Sequence, residues 1–194
     1  MLAVFHSNRA SRLNPDYITL CNGQAQISEK AAAGAGTLSV ALQTDALLLI
    51  GREKKGQIAW LKGKSCADAA LLTICPRGTT IHVFEMKKTV SVGDLESILL
   101  QIEGMVQNVY ALIGVLGLPS ATHVCIYLAL QTEKISPAGN PSLIGFKGQL
   151  GKPPTKRERL LAELLDNRMT ILDLGPVPVT IIQRDQAGNA AHTL

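Results

Sequence analysis

Residues 66–88, CADAALLTICPRGTTIHVFEMKK, place two apolar segments on either side of a short turn sequence. The first apolar segment, residues 69–75, has the length of a strand, and residues 80–84 are rich in β-branched and aromatic side chains. Between them, residues 76–79 (PRGT) have the composition of a turn. This order predicts a β-hairpin. With the turn centred between Arg77 and Gly78, we expect Asp68 to lie opposite Lys87, and Ala70 opposite Glu85.

The sequence that follows the hairpin predicts a helix and then a strand. Apolar residues recur at spacings of three and four over residues 92–116, which is typical of an amphipathic helix. Gly117 and Pro119 are expected to end that helix. Residues 123–130 (HVCIYLAL) predict a buried strand.

The flanking segments complete an α/β pattern. Residues 27–43 predict a helix weakened by two glycines, and residues 46–50 predict either the end of that helix or a strand. Because helical and strand patterns alternate, we expect one α/β domain over residues 1–194, with a mixed β-sheet flanked by helices. The remaining expectations are an irregular start over residues 1–23, a strand at 58–62, a helix at about 155–167 and a last strand at 177–182.

Composition excludes several classes of protein. Of the 194 residues, 46% are hydrophobic, which is enough for a sizeable core and argues against disorder. The formal net charge of +4 is compatible with a polyanionic partner, although many enzymes share such a charge. The four cysteines form no C-x-x-C pair, so a zinc ribbon is not indicated. The chain shows no signal peptide pattern, and we expect a cytoplasmic protein that has no membrane partner.

Charged residues at one end of the hairpin carry the strongest chemical signal. Glu85 and Lys87 are two residues apart on a strand and therefore share a face, and Asp68 is expected beside them. Carboxylate and carbonyl oxygens are ligands that Mg²⁺ prefers. Asp68, Glu85 and the backbone carbonyl of Met86 are thus candidate ligands for Mg²⁺ or Mn²⁺. Such a cluster suits the metal-assisted hydrolysis of a phosphodiester. Lys87 is the candidate to orient or deprotonate the attacking water, or to stabilise the oxyanion that develops on the phosphate.

This stretch resembles the PD-(D/E)xK nuclease superfamily, in which an Asp begins one strand of a hairpin and E-x-K ends the next. The resemblance covers residues 27–130 and implies a restriction-endonuclease-like core with a metal-dependent active site. It also implies a catalytic role for Gln101 on the helix after E-x-K, and a weaker metal role for Glu29 on the first helix. Met105 stands where the Q-x-x-x-Y version of the family has tyrosine.

Basic residues form two groups in the sequence. The first precedes the hairpin and the second opens the helix expected near residue 155; phosphate contacts would use such residues, although an ordinary solvated surface is the alternative for each. A second E-x-K, Glu53-Lys54-Lys55, follows no buried strand and is discounted. The candidate nucleic-acid-binding residues are Lys54, Lys55, Lys62, Lys64, Lys156, Arg157 and Arg159.

Two functions remain open from the sequence. The first is a metal-dependent nuclease that hydrolyses phosphodiester bonds in DNA, with defence against foreign DNA suggested by analogy with small members of the superfamily. The alternative is a non-catalytic module on the same fold that binds a nucleic acid or a protein. Because the chain is short, we expect that a homo-oligomer or a partner subunit contributes to substrate choice.

Overall fold

The computed structural model describes residues 13–29, 35–51, 65–75, 77–131 and 153–194, and these form a mixed α/β fold made mostly of strands. Short 3-10 turns lie at Val92–Asp94 and Leu172–Leu174. The strands are β1 (Ile18–Cys21), β2 (Gln24–Glu29), β3 (Gly36–Ala41), β4 (Ala46–Ile50), β5 (Ala69–Cys75), β6 (Gly78–Lys87), β7 (Ala121–Leu130), β8 (Arg168–Thr170), β9 (Pro176–Gln183) and β10 (Ala190–Thr193); the helices are α1 (Leu95–Leu116) and α2 (Lys156–Leu165).

Two sheets build the fold. The larger has seven strands in the order β1-β4-β5-β6-β7-β9-β8, and the smaller has three in the order β10-β3-β2. In the larger sheet β6, β7 and β9 run parallel, while the other neighbours pair antiparallel. Helix α1 makes the crossover between β6 and β7, as a parallel pair requires. The expectation of a mixed sheet is therefore confirmed.

Alternating side chains of the larger sheet enter two separate cores. On β6, Ile81 and Val83 pack in the core that contains α1 and α2, whereas Phe84 and Met86 pack in the core against the smaller sheet. Among the described residues both helices thus cover one face, and the smaller sheet covers the other. The prediction of helices that flank the sheet is thus confirmed on one face, and it did not include the second sheet that covers the other.

The segment predicted as a helix over residues 27–43 contributes two strands instead, β2 and β3, within its described part. Ala25 and Ile27 are buried on β2, and Leu38 and Val40 are buried on β3. Such alternation has a period of two, which is typical of strands and not of a helix. Residues 46–50 form strand β4, and the start predicted as irregular includes β1.

The hairpin prediction is confirmed, but its register is shifted by two residues. Ala69 pairs with Phe84, and Cys75 pairs with Gly78. Continuing this register by one residue places Asp68 across from Glu85 rather than from Lys87. The composition of the turn is compatible with either pairing of the two strands, so it did not distinguish them. Because the shift is even, every side chain keeps its predicted face.

Helix α1 is confirmed close to its predicted bounds. It ends at Gly117, whose left-handed conformation (φ 67°) caps the last turn. Together with the preceding 3-10 turn it is long and apolar enough to cross a membrane, but half of its most apolar window is buried inside the fold. Packing against β6 in the larger core accounts for this apolar character.

Two glycines of α1 should respond oppositely to alanine. A Cβ at Gly104 would lie 2.0 Å from the backbone oxygen of Ser65, whereas a Cβ at Gly114 meets no atom within 4 Å. Gly104→Ala should therefore destabilise the protein by about 1–3 kcal/mol, despite the better helix propensity of alanine. Gly114→Ala should stabilise it by about 0.5–1 kcal/mol. Denaturant unfolding of both variants measures this contrast, and equal effects would contradict the close packing of α1 on residue 65.

Candidate active site

The candidate site lies at the edge of the larger sheet where the three parallel strands end. Lys87, the last residue of β6, pairs with Leu130 of β7, and Leu130 pairs with Gln183 of β9. The carboxyl ends of parallel strands are a common location for binding sites in open α/β sheets. Asp68 reaches the same edge from the other direction, because β5 begins there with Ala69.

Backbone hydrogen bonds hold the two carboxylates of the hairpin together. The Asp68 N–H donates to Oε2 of Glu85 at 3.2 Å, and the Met86 N–H donates to Oδ2 of Asp68 at 2.6 Å. The Gly51 N–H also donates to the Asp68 carbonyl at 2.7 Å, which attaches the residue after β4 to the residue before β5. The structure thus brings Asp68, Glu85 and the backbone of Met86 into one cluster.

Lys87 completes the cluster predicted from the sequence. Its Nζ lies 2.5 Å from Oε1 of Glu85, and its side chain is 29% exposed while that of Glu85 is 1% exposed. The contact is an ion pair, and among the described residues Oε1 has no partner besides Lys87. The site therefore opens to solvent at Lys87 and is closed around Glu85.

Burial and mutual repulsion set the protonation of the acidic groups. Burial, together with the nearby Glu85 carboxylate, raises the pKa of Asp68 to about 8. Burial also raises the pKa of Glu85, and the ammonium of Lys87 opposes that rise. Although burial alone would lower the pKa of Lys87, the neighbouring carboxylates outweigh it and raise that pKa. Near neutral pH the cluster therefore holds an ammonium on Lys87 and a proton on Asp68.

Glu29 joins this cluster from the smaller sheet. It ends β2, not a helix, and its side chain hydrogen-bonds to that of Asp68. Sequence reasoning reached the residue through the family resemblance but assigned it the wrong secondary structure, because alanines follow it.

Arg184 is a member of the site that the sequence analysis missed. It follows β9, is 1% exposed, and its guanidinium lies close enough to Asp68 and Glu29 to interact with their charges. In the sequence it stands between Gln183 and Asp185, as a surface arginine would, and no local pattern marks it as buried.

Gln101 lies on the buried side of α1, next to the segment that leads into β5. Its backbone carbonyl accepts from the Ala67 N–H at 2.9 Å, one residue before Asp68. The predicted residue is therefore beside the site, and α1 fixes the position at which β5 begins.

The second basic group opens α2, and its three residues Lys156, Arg157 and Arg159 are exposed. Arg157 forms an ion pair with Glu96 of α1 (N···O 3.5 Å), which links α2 to the first turn of α1. Hydrogen bonds from Ser91 lower the pKa of Asp94, which lies just before that turn, and the nearby Lys87 ammonium adds a smaller effect in the same direction. Through the first turn of α1, Arg157 is thus connected to the side of the site at which Lys87 is exposed. The first basic group, Lys54, Lys55, Lys62 and Lys64, lies outside the described residues, as do Glu53 and the strand predicted at 58–62.

The donor set fits a hard divalent ion that keeps part of its water shell. Within the described ranges no three His, Cys, Asp or Glu side chains are arranged as a ready ligand group. Asp68 and Glu85 nevertheless supply two carboxylates, and Oε1 of Glu85 has no partner besides Lys87 among the described residues. Mg²⁺ is commonly held by one or two carboxylates, with water and substrate phosphate as its other ligands.

Asp68→Asn should stabilise the metal-free protein at pH 7.5. The folded protein binds the Asp68 proton more tightly than the unfolded chain does, so the fold loses stability as pH rises from 3.8 toward about 8. An uncharged amide avoids this loss, and we expect a gain of roughly 1–3 kcal/mol that disappears at pH 4. Urea unfolding at both pH values measures the effect. Asp166→Asn, which changes an exposed carboxylate, is the control, and a destabilised Asp68→Asn at pH 7.5 would contradict the prediction.

Comparison with known proteins adds no relative: no protein-family model matches the chain, and neither a curated protein nor a solved structure shows significant similarity to it.

Proposed function

We propose that this protein is a metal-dependent nuclease that hydrolyses phosphodiester bonds in DNA. The observation that carries the proposal is the convergence of Asp68, Glu85 and Lys87 at the end of the β5–β6 hairpin. Buried carboxylates with raised pKa values beside a lysine are typical of functional sites. An ordinary surface ion pair is not buried in this way. Splayed side chains would instead have favoured a non-catalytic module.

Each residue has a role in the proposed chemistry. Asp68 and Glu85 would hold Mg²⁺ or Mn²⁺, which when bound supplies charge neutralisation and a more acidic water. Loss of the Asp68 proton would accompany ion binding, since ligands must be deprotonated. Lys87 remains an ammonium in this environment, which favours a role in orienting water and stabilising the phosphate oxyanion over a role as general base.

The connection of the strands also supports this proposal. Strands β4, β5 and β6 are consecutive and antiparallel, α1 follows, and β7 then pairs parallel to β6. This is the order that resemblance to a restriction-endonuclease-like core implies around E-x-K. The two strands in place of the expected first helix are the departure from it.

Cleavage assays on purified protein test the proposal. Plasmid and oligonucleotide DNA should be cut with Mg²⁺ or Mn²⁺ and left intact with EDTA. A crystal soaked in Mn²⁺ should show anomalous density between Asp68 and Glu85. Absence of cleavage with every metal, for DNA and RNA alike, would overturn the enzyme, and anomalous density elsewhere would overturn the site.

If DNA is the partner, the affinity of the protein for DNA should fall as the salt concentration rises. Lys156, Arg157 and Arg159 are exposed at the start of α2, and Arg157 pairs with Glu96 in the first turn of α1, so a phosphate backbone bound at the site would reach them. Replacing all three by alanine should reduce the slope of log K against log salt by roughly 0.9 for each phosphate that the variant no longer neutralises. Arg168→Ala, an exposed arginine of β8, is the control. An unchanged slope in the triple variant would return these residues to ordinary solvated surface.

The proposal places the protein in the cytoplasm, where its four free cysteines stay reduced. Defence against foreign DNA is the role that the family resemblance favours, and a homo-oligomer or partner subunit would supply substrate choice. Neither role changes the chemistry of the site.

A further inference from the structure

Arg184 is a buried cation at the junction of the two sheets. Its backbone N–H donates to the Leu130 carbonyl at 2.7 Å, which continues the pairing of β7 with β9 by one residue beyond Gln183. With 1% of its surface exposed, it is among the largest fully buried side chains. Arginine is rarely buried so completely unless it is paired, because desolvation of the guanidinium is costly.

The guanidinium connects backbone groups from both sheets. Its Nε donates to the Gly188 carbonyl at 2.6 Å, in the turn that leads into β10. Its Nη1 lies 3.5 Å from the carbonyl of Lys87, at the end of β6. The planar fork of arginine suits such a bridge, since its donors point in fixed directions.

Two glycines leave room for this side chain. A Cβ at Gly36 would lie 2.4 Å from Nη2 of Arg184, and a Cβ at Gly188 would lie 2.8 Å from the same atom. Gly36 is the register partner of Glu29 in the β2–β3 pair. The guanidinium therefore lies against the backbone directly across from Glu29.

The charges around Arg184 are the acids of the candidate site. Burial lowers its pKa, and the carboxylates of Glu29, Asp68 and Asp185 oppose that effect. Asp185 is exposed and accepts the Asn189 N–H in the turn. Glu29 and Asp68 are hydrogen-bonded to each other and face the cluster.

We propose that Arg184 is a positioning residue that holds Glu29 beside Asp68, so that the smaller sheet supplies an outer partner to the Asp68 carboxylate of the divalent-cation site. The role of Glu29 toward the cation rests on the proposed function, whereas the pairing of Arg184 with Glu29 does not. A residue that only closed the β9–β10 turn would not depend on Glu29.

A double-mutant cycle on the metal-free protein tests the pairing. Arg184→Met, Glu29→Gln and the double variant are compared by denaturant unfolding. The unfolding constant of the double variant should differ at least about fivefold from the value expected for independent effects. Arg168→Met combined with Glu29→Gln is the matched control, and it should be additive because Arg168 lies on β8 at the far edge of the larger sheet.

Arg184→Lys provides a second cycle in case Arg184→Met does not fold. Lysine keeps the charge but cannot span both carbonyls and Glu29, so Arg184→Lys with Glu29→Gln should also be non-additive. Additivity in whichever cycle can be measured would overturn the inference.

Calorimetric titration with Mn²⁺ separates this inference from the proposed function. Glu29→Gln and Arg184→Lys should each weaken Mn²⁺ binding about tenfold or more, and the double variant should bind about as the weaker single variant does. Unchanged Mn²⁺ affinity in Glu29→Gln would overturn this role of Glu29 beside Asp68. If the unaltered protein binds no Mn²⁺ while the unfolding cycle is non-additive, the proposed function fails and the pairing stands.

Discussion

Lys87→Ala should lower the rate of DNA cleavage about 10²–10³-fold while Mn²⁺ and DNA affinities change little. The ammonium is 29% exposed and lies against the innermost carboxylate, so it can reach a phosphate without holding the metal. An interaction made only in the transition state affects the rate of the chemical step more than it affects ground-state binding. Single-turnover cleavage at saturating protein measures that step directly.

Lys88→Ala is the matched control for this prediction, because Lys88 is the next residue and is exposed beyond the end of β6. It should cleave DNA at nearly the unaltered rate. If Lys87→Ala also cleaves as well as the unaltered protein, the enzyme interpretation fails. A non-catalytic module that binds nucleic acid or protein would then be the better account of the fold.

Glu85→Gln should abolish both Mn²⁺ binding and cleavage. Glu85 is the most buried carboxylate of the site, and its Oε1 has no partner besides Lys87 among the described residues. A direct metal ligand should cost more than the roughly 10–100-fold in affinity that an outer partner typically costs. Calorimetry with Mn²⁺ and the cleavage assay measure the two losses together.

Asp94→Asn tests whether any carboxylate near Lys87 would give the same result. Asp94 is exposed and accepts hydrogen bonds from Ser91 at the start of the 3-10 turn before α1. Its loss should weaken that cap by about 1 kcal/mol and leave Mn²⁺ binding intact.

Retained Mn²⁺ affinity in Glu85→Gln would remove Glu85 from the metal site.

Local patterns in the sequence were sufficient for the centre of the fold. The β5–β6 hairpin, α1 and β7 each carry their own periodicity, and a period of two places Glu85 and Lys87 on one face without any distant contact. The hairpin also brings Asp68 near Glu85, since only a short connection separates the two strands. The candidate cluster could therefore be found from one continuous segment of the chain.

Only the tertiary structure decided the register, the second sheet and the role of Arg184. A two-residue shift preserves every side-chain face, so the hydrophobic pattern could not distinguish Lys87 from Glu85 as the neighbour across from Asp68. Strand β3 pairs with β2 on one side and with β10 near the carboxyl terminus on the other, and no local pattern in the sequence indicates a partner that distant. Glu29, Asp68 and Arg184 meet for the same reason. Their proximity results from the packing of two sheets, and the three residues are far apart in the sequence.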